Sequence, residues 1–395
     1  MILFYKFLEI LILIFFIPII VIISLFKPIK IGYIKSRHLG AYATALEILK
    51  CEKKIIYGDE NALYIWFKDK RTDNKVLFNK LTNKDLILPS FILKPLFQFF
   101  FNKLSLKEKY IIPFRYLKKN NFEKLKLWQT RDIHSVLNKL PSTVKLNQNE
   151  EEFGKKYLLL KKIDEKKNFV CFSNRGSAYK NEKAQSIRNA SILTQIKSIN
   201  YLLKNDYVAF RMGRNENTKL QENLSRNIID YAFDDNNKSD ILDLFLHNKS
   251  NFIISNSGGI NNFATIFRKP KFVVDFTQFN DLNTENSYFL PLLIPKIFRK
   301  IINKKKIKFS EVFNLGLDKL NTLENLNRLG YEILDNNEDE IFEGTKEMLD
   351  IINNNNIYSN NNQKKFWDMV NEYSPNMGKF KVSEYFFNKN KDLFD

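Results

Sequence analysis

The sequence predicts a two-domain α/β protein preceded by an N-terminal hydrophobic helix. Its 395 residues suit two domains of common size. Near the start lies a long uncharged run, and beyond it short apolar runs alternate with segments of helical spacing. Strands that alternate with helices form parallel sheets, whose ligands bind at the carboxyl ends of the strands. We therefore expect the functional residues in the loops that follow strands.

Residues 1–26 form the predicted membrane anchor. The uncharged run Ile10–Phe26 would be about 26 Å long as a helix, against about 30 Å of hydrocarbon, so spanning and shallow insertion both remain open. A cleaved signal peptide would need a small-residue cleavage site, and a buried helix would normally have a polar face. Lys6 alone precedes the run, whereas four basic residues follow it, namely Lys27, Lys30, Lys35 and Arg37. The positive-inside rule then places the domains on the cytoplasmic face of the inner (cytoplasmic) membrane.

The net charge of +19 is concentrated in the first part of the chain. Residues 1–165 hold 30 Lys and Arg against 16 Asp and Glu, and residues 166–395 hold 33 against 28. This excess reflects either a general bias towards Lys, Asn, Ile and Phe or attraction to anionic membrane lipids or an anionic acceptor. A nucleic-acid partner is not predicted, because the lysines are scattered and no recognition motif accompanies them.

The few cysteines and histidines argue against a metal centre. Cys51 and Cys171 stand far apart, and the three histidines lack the spacing of zinc ligands. We predict neither a disulfide framework nor a bound metal.

Residues 27–160 form the predicted N-terminal domain. Ile29–Ile34 has the pattern of a buried strand, and Ala41–Lys50 that of a helix. Further strands are predicted at 62–67 and 76–78, and mainly helices over 86–140. The charged stretch 147–167 is predicted to be the linker to the next domain.

Residues 161–350 form the predicted C-terminal domain. The predicted strands cover 168–172, 207–210, 227–230, 252–254 and 271–275, and the predicted helices cover 191–204, 240–247 and 259–267. The tail, residues 351–395, contains a polar turn and the amphipathic helix Lys364–Tyr373. We expect this tail to pack back on the N-terminal domain.

A glycine-bearing turn follows the predicted strand at 252–254. It contains Asn256, Ser257, Gly258 and Gly259, and Asn261 lies in the first turn of the helix that follows. Small residues let a ligand approach the backbone, and a helix N-terminus offers free N–H groups to an anion such as a diphosphate. The alternative is a tight turn without a ligand.

Two arginine-bearing turns follow other strands. Arg211, Gly213 and Arg214 come after the strand at 207–210, and Arg175 comes after the strand at 168–172. Arginine binds phosphate in a bidentate manner. We expect Arg175 to be catalytic and the other turn to bind the donor, all three turns meeting in one crevice; the alternative is solvated surface arginines.

His38 follows the first strand of the N-terminal domain and is the predicted general base. Its ordinary pKa is near neutral, as a base requires. The alternatives are a bystander histidine and a carboxylate base.

Several blocks together resemble a family of bacterial surface-polysaccharide glycosyltransferases with a GT-B-like fold, over roughly residues 30–310. The blocks are SRHLGAYATALEIL, VCFSNRGSAY, Arg188-Asn189, YVAFRMGR, NIIDYAF, SDILDLFL, FIISNSGGINNFATIFRKP and LIPK at 293–296. The SNSGG turn is also similar to the donor-diphosphate loop of heptosyltransferases. The resemblance implies two Rossmann-like domains facing a cleft, a nucleotide-sugar donor held mainly by the C-terminal domain, a glycan or lipid-linked acceptor, and neither a metal nor another cofactor.

The chain departs from the family pattern at two positions. Where the pattern has a histidine and an aspartate around Arg175, this chain has Ser173 and Gly176. Two alternatives therefore accompany the glycosyltransferase hypothesis: a nucleotide-sugar epimerase of the same fold, and a non-catalytic membrane-attached derivative.

Overall fold

The computed structural model divides the chain into two compact units, Met1–Val136 and Leu137–Asp395. The residues that it describes are 2–55, 62–83, 85–112, 132, 134–176, 185–214, 216–221, 224–279, 291–354, 361–373 and 380–394. Both units are mixed α/β with parallel sheets, as the sequence predicted.

The first unit is built on a short parallel sheet. Its strands are β1 (Ile29–Ile34), β2 (Leu63–Lys68) and β3 (Leu86–Ile87), in the order β1-β2-β3. On the other side of β1, Ile111 pairs with Ile31 in a parallel bridge. Its helices are α1 (Ile2–Phe26), α2 (Leu39–Ile55), α3 (Lys75–Thr82), α4 (Ser90–Asn102), α5 (Leu104–Tyr110) and α6 (Val136–Lys139, which crosses the unit boundary).

Helix α1 is the predicted anchor helix. Over Lys6–Phe26 its mean hydropathy is 3.1, so by length and composition it could cross a membrane. It is not detached from the first unit, because Ile12 and Ile20 are buried in one cluster with α4 and the sheet.

Helix α3 corrects the strand predicted at 76–78. The Asn74 side chain caps this helix, its Oδ1 accepting a hydrogen bond from the Leu77 N–H at 2.9 Å. Leu77, Phe78 and Leu81 are buried at helical spacing. A three-residue apolar run is compatible with a strand or with a helix, and the Asn74 cap favours the helix.

The second unit contains a larger sheet and most of the helices. Its strands are β4 (Asn168–Ser173), β5 (Tyr207–Arg211), β6 (Ile228–Ile229), β7 (Phe252–Ser255), β8 (Lys271–Phe276), β9 (Leu292–Pro295), β10 (Ile297–Lys300), β11 (Tyr331–Leu334) and β12 (Lys381–Val382). Its helices are α7 (Gln148–Leu160), α8 (Ile196–Lys204), α9 (Asp240–Lys249), α10 (Asn262–Phe267), α11 (Phe309–Leu315), α12 (Leu323–Arg328), α13 (Glu338–Asn354), α14 (Asn361–Tyr373) and α15 (Glu384–Lys389).

The strand order of this sheet is that of a Rossmann-like fold. In the described residues it runs β12-β9-β8-β7-β4-β5-β6, with every pairing parallel. The first strand of the unit, β4, lies between β5 and β7, so the order reverses beside it, as in dinucleotide-binding sheets. Strands β10 and β11 form a separate antiparallel pair.

Helix α7 occupies most of the stretch predicted to be a linker. Asn147 and Glu150 form a capping box at its start, each side chain accepting from the other's backbone N–H. Gly154 lies against the Phe245 ring of α9, and Tyr157 is buried in the core of the second unit. The unit boundary therefore lies at 136–137, earlier than the predicted 160–161, because this charged helix has one buried face.

The tail packs in the second unit, which corrects the prediction that it returns to the N-terminal domain. Phe366 and Val370 of α14 are fully buried in the same core as Phe309. Phe394 also contacts Phe309, with ring centroids 5.0 Å apart. Strand β12 adds to the sheet beside β9. The aromatic residues of the tail thus complete the core nearest to them.

Candidate functional site

The three predicted turns lie at one edge of the second unit's sheet. They follow β4, β5 and β7, which are neighbours and parallel. The Met212 N–H, just beyond β5, donates to the Phe172 carbonyl of β4 at 2.8 Å. Ser177, Ala178 and Tyr179, in the continuation of the first turn, lie outside the described residues.

Asn256 ties two of these turns together. Its Oδ1 accepts from the Arg175 N–H at 2.9 Å, and its Nδ2 donates to the Arg188 carbonyl at 2.8 Å. Its side chain is almost completely buried. Asn256 therefore bridges the crevice between β4 and β7, where a sheet of this order usually receives its ligand.

Residues 185–191, which we call the crossing segment, lie over this edge of the sheet. Ser186 pairs with Thr322 in an antiparallel bridge. The Asn189 side chain accepts from Arg175 Nη1 at 2.8 Å, and the Asn189 carbonyl accepts from Lys296 Nζ at 2.6 Å. Arg175 and Lys296 thus hold the same asparagine from two sides.

Lys296 is a buried cation directly after β9. Its side chain is 1% exposed, and its Nζ lies 2.6 Å from Asp335 Oδ1. An ammonium group in so dry a place is stable only with a carboxylate or hydrogen-bond acceptors around it, and both are present.

Arg211, the last residue of β5, is buried among acceptors of its own chain. Its Nη1 donates to the Thr218 carbonyl at 2.5 Å and to Asp230 at 3.2 Å, and its Nη2 lies 3.7 Å from Glu216. Its side chain is 1% exposed. The sequence predicted a phosphate ligand but not these internal partners.

Arg214 is also paired within the chain. Its guanidinium donates to Asp240 at 2.6 Å and to Asp243, both on α9. Gly213 lies between the two arginines, and a Cβ at this position would come 2.9 Å from Glu216 Cγ. The turn therefore packs around the Glu216 side chain.

The glycine turn after β7 is internally bonded too. The Gly258 N–H donates to the Asn256 carbonyl, and Ser255 Oγ donates to Asn261 Oδ1 at 3.0 Å. The predicted helix begins as a 3-10 turn, Gly259–Asn261, before α10. Ser257 Oγ is buried without a hydrogen-bond partner in the described part of the chain.

His38 lies in the first unit, between β1 and α2. Its N–H donates to the Lys35 carbonyl at 3.2 Å, and its carbonyl accepts from the Ala41 N–H in the first turn of α2. The loop position after the first strand agrees with the sequence analysis, while the role as base remains a prediction.

A cavity of about 470 Å³ opens beside the crossing segment. Its lining comes from the loops after β4 and β5, from Lys296, and from the β11 end of the unit. The charged side chains that line it are Arg211, Glu216, Lys296 and Asp335. Of the predicted site residues only Arg211 lines it, so the sequence analysis missed Glu216, Asn189 and Lys296. Asn189 and Lys296 had a signal, since both stand in blocks that carry the family resemblance.

Glu216 occupies space that two glycines leave open. A Cβ at Gly176 would lie 2.7 Å from Glu216 Oε2, and one at Gly213 would touch the same side chain. Burial raises the pKa of Glu216, although Arg211 opposes the shift. A carboxylate with a raised pKa at the edge of a cavity is suited to accepting a proton.

Comparison with known proteins finds similar structures only at low identity. No protein-family model and no curated protein matches the sequence. The similar structures include E. coli ADP-heptose LPS heptosyltransferase II, at 10% identity and a TM-score of 0.38 over 62% of this chain and 84% of that one. A family 9 glycosyl transferase from Veillonella parvula DSM 2008 is 9% identical, with a TM-score of 0.43 over 82% and 97%.

A third similar structure is the iron-containing dodecameric glycosyltransferase TibC from enterotoxigenic E. coli, at 8% identity and a TM-score of 0.35 over 68% of this chain and 64% of that one. At such identities and TM-scores, the matches say nothing about the reaction of this chain. All three are glycosyltransferases by name, and the first is a heptosyltransferase.

Proposed function

We propose that this protein is a membrane-attached glycosyltransferase that transfers a sugar from a nucleotide-sugar donor to a glycan or lipid-linked acceptor on the cytoplasmic face. The observation that carries the proposal is the cavity at the carboxyl edge of the Rossmann-like sheet, lined by Arg211 and Lys296. Cavities of this size hold small organic ligands, and this edge is where such sheets bind nucleotides. The blocks that resemble surface-polysaccharide glycosyltransferases support the same conclusion.

The donor diphosphate would be held on the Lys296 side of the cavity. Lys296 offers an ammonium group that is already oriented by the Asn189 carbonyl and by Asp335. During transfer the bond from the sugar to the diphosphate breaks, and negative charge grows on the leaving oxygen. A cation fixed beforehand stabilises that charge without reorganisation.

Arg175 and Arg211 would act mainly on the shape of the site. Arg175 positions Asn189 through its guanidinium, and Arg211 holds the loop after β5 through the Thr218 carbonyl and Asp230. Arg175 does not line the cavity, and Arg211 lies beside two carboxylates, Glu216 and Asp230, whereas Lys296 pairs with Asp335, so we assign the direct phosphate contact to Lys296 first.

The acceptor hydroxyl must lose its proton as its oxygen bonds to the sugar carbon. Two bases remain open for this role, namely His38 and a carboxylate. Among the carboxylates that line the cavity, Glu216 is the better candidate because burial raises its pKa towards the range of a base. Asp335 is paired with Lys296 at 2.6 Å, a closer contact than the 3.7 Å between Glu216 and Arg211.

Thermal stabilisation by a panel of nucleotide sugars tests the proposal. A donor at about 100 times its Kd should add about 2.7 kcal/mol to the free energy of unfolding. We expect Lys296→Ala to lose most of this stabilisation, and Lys300→Ala, a lysine of β10 that is 40% exposed, to keep it. No stabilisation of the unaltered chain by any donor would contradict the proposal. Products formed from donor alone would show an epimerase instead.

A further inference from the structure

Helix α1 has one covered stripe and a wide uncovered apolar face. Ile12 and Ile20 are buried against the first unit, with Leu13, Phe16 and Ile17 partly buried beside them. The Ser24 hydroxyl lies 2.9 Å from the Tyr110 hydroxyl, so the contact reaches the last turns of the helix. The exposed apolar residues of the other face include Phe7, Ile14, Phe15, Ile22, Leu25 and Phe26.

The covered stripe is too long to leave room for a membrane crossing. From Ile12 to Ser24 it covers about 18 Å of helix at about 1.5 Å per residue. The part before it, residues 2–11, is only about 15 Å long and carries the exposed Lys6 and Glu9. The hydrocarbon core is about 30 Å thick. An upright α1 would therefore carry the first unit into the hydrocarbon.

The surface beside the stripe is not suited to hydrocarbon. Helix α4, which packs along α1, buries Leu93, Leu96 and Phe100 and exposes Lys94 and Gln98, besides Phe91 in its first turn. A charged side chain held within the bilayer is costly unless it reaches water or a partner. This face of the first unit belongs in water, on the opposite side of α1 from the uncovered apolar face.

Basic residues surround the contact between α1 and the first unit. Lys27 directly follows α1, Lys103 precedes α5, and Lys109 lies in the last turn of α5. The Lys30 ammonium group donates to the Lys109 carbonyl at 2.9 Å, which brings β1 and the end of α5 together. Each Lys near a membrane surface gains from anionic headgroups.

We propose that α1 lies in the plane of an anionic membrane surface and does not cross it. Its uncovered apolar face enters the boundary between headgroups and acyl chains, the depth at which interfacial helices lie. The first unit covers its back, and the surrounding lysines meet anionic headgroups. Both ends of α1 then stay on the side of the membrane that carries the two units. This proposal does not depend on the reaction that the second unit performs.

Cysteine accessibility in the full chain distinguishes the two orientations. Single Lys6→Cys and Lys27→Cys variants would be treated with a membrane-impermeant maleimide in sealed inside-out membrane vesicles. The native Cys51 and Cys171 are fully buried, so the unaltered chain provides the blank. We expect both variants to be labelled equally without detergent. Labelling of Lys6→Cys only after detergent would show a spanning helix and overturn the proposal.

Vesicle binding tests the lipid face directly. We expect the purified chain to bind vesicles with 30% phosphatidylglycerol at least about 10-fold more tightly than pure phosphatidylcholine vesicles, because the lysine attractions add. The double variant Phe15→Glu/Ile22→Glu should lose binding to both. Ile302→Glu, at a residue 92% exposed in the second unit, is the matched control and should bind normally. Equal binding of the double variant and this control, or no binding by the unaltered chain, would also overturn the proposal.

Discussion

Replacing Asn256 with alanine should loosen the edge of the sheet where the cavity opens. The change removes the acceptor of the Arg175 N–H, which is buried, and the donor to the Arg188 carbonyl, which is partly buried. A buried backbone group left without a partner costs about 1–3 kcal/mol, and the partly buried carbonyl adds a smaller amount. Even 2 kcal/mol lowers the Tm of a domain of this size by about 4–8 °C.

The matched control for this prediction is Asn205→Ala. The Asn205 side chain also donates to a backbone carbonyl, that of Tyr201 at 2.9 Å, but it does so at an exposed position. We expect its loss to change stability by less than about 1 kcal/mol, because water replaces the bond. Thermal unfolding by circular dichroism measures both variants, and hydrogen exchange followed by mass spectrometry localises the effect to the crossing segment. A wild-type Tm with unchanged exchange over 185–191 would refute the role given to Asn256.

Three further changes test the physical basis of the two units by urea unfolding. Burial, with a contribution from Asp132, raises the pKa of Glu52 from 4.5 to about 7. The free energy of unfolding should therefore fall by up to about 3 kcal/mol as pH rises through this window. The Glu52→Gln variant should not show this fall. Burial lowers the pKa of His247 from 6.5 to about 4, so the free energy of unfolding should fall as pH drops through that window. In His247→Gln this dependence on pH should be weaker. Plots of stability against pH that run parallel to the wild type would contradict the predictions for Glu52 and His247. Gly154→Ala should lower the free energy of unfolding by about 1–3 kcal/mol, because the new Cβ would lie 2.2 Å from the Phe245 ring. A further Phe245→Leu change should recover part of this loss. An unchanged urea midpoint would show that α7 and α9 can move apart without cost.

The sequence predicted strands well where an apolar run stands between clear breaks. Strands β4, β5, β7 and β8 lie where their hydrophobic patterns placed them. It failed where a charged segment has a buried side. Helix α7 carries glutamates and lysines, but its Gly154 faces Phe245 of α9 and its Tyr157 contacts the Tyr231 ring, and only the folded partners reveal this. The prediction for the tail failed for the same reason. Its aromatic residues could pack in either domain, and the sequence does not show that they join the cluster of Phe309 in the second unit.

The sequence predicted that the three turns lie together but did not predict their contacts. The turns with Arg175, Arg211 and Asn256 do lie together, because the ends of parallel strands share one edge. Among the partners of Arg211 and Arg214, Asp230 follows β6 and both Asp240 and Asp243 lie on α9, so spacing could not reveal them. Glu216 stands in no motif, and only the space left by the glycines singles it out.

Balanced charge in the cavity has a consequence for how a ligand arrives. Arg211 and Lys296 contribute two positive charges to its wall, and Glu216 and Asp335 contribute two formal negative ones. Long-range attraction of an anion needs an excess of one sign, and here the pairs cancel beyond a few ångströms. The cavity wall itself therefore adds little to the encounter with a nucleotide sugar, and any dependence of that encounter on ionic strength would come from the chain's net charge of +19. Selectivity would arise after entry, as phosphate oxygens compete with a carboxylate for the same ammonium group.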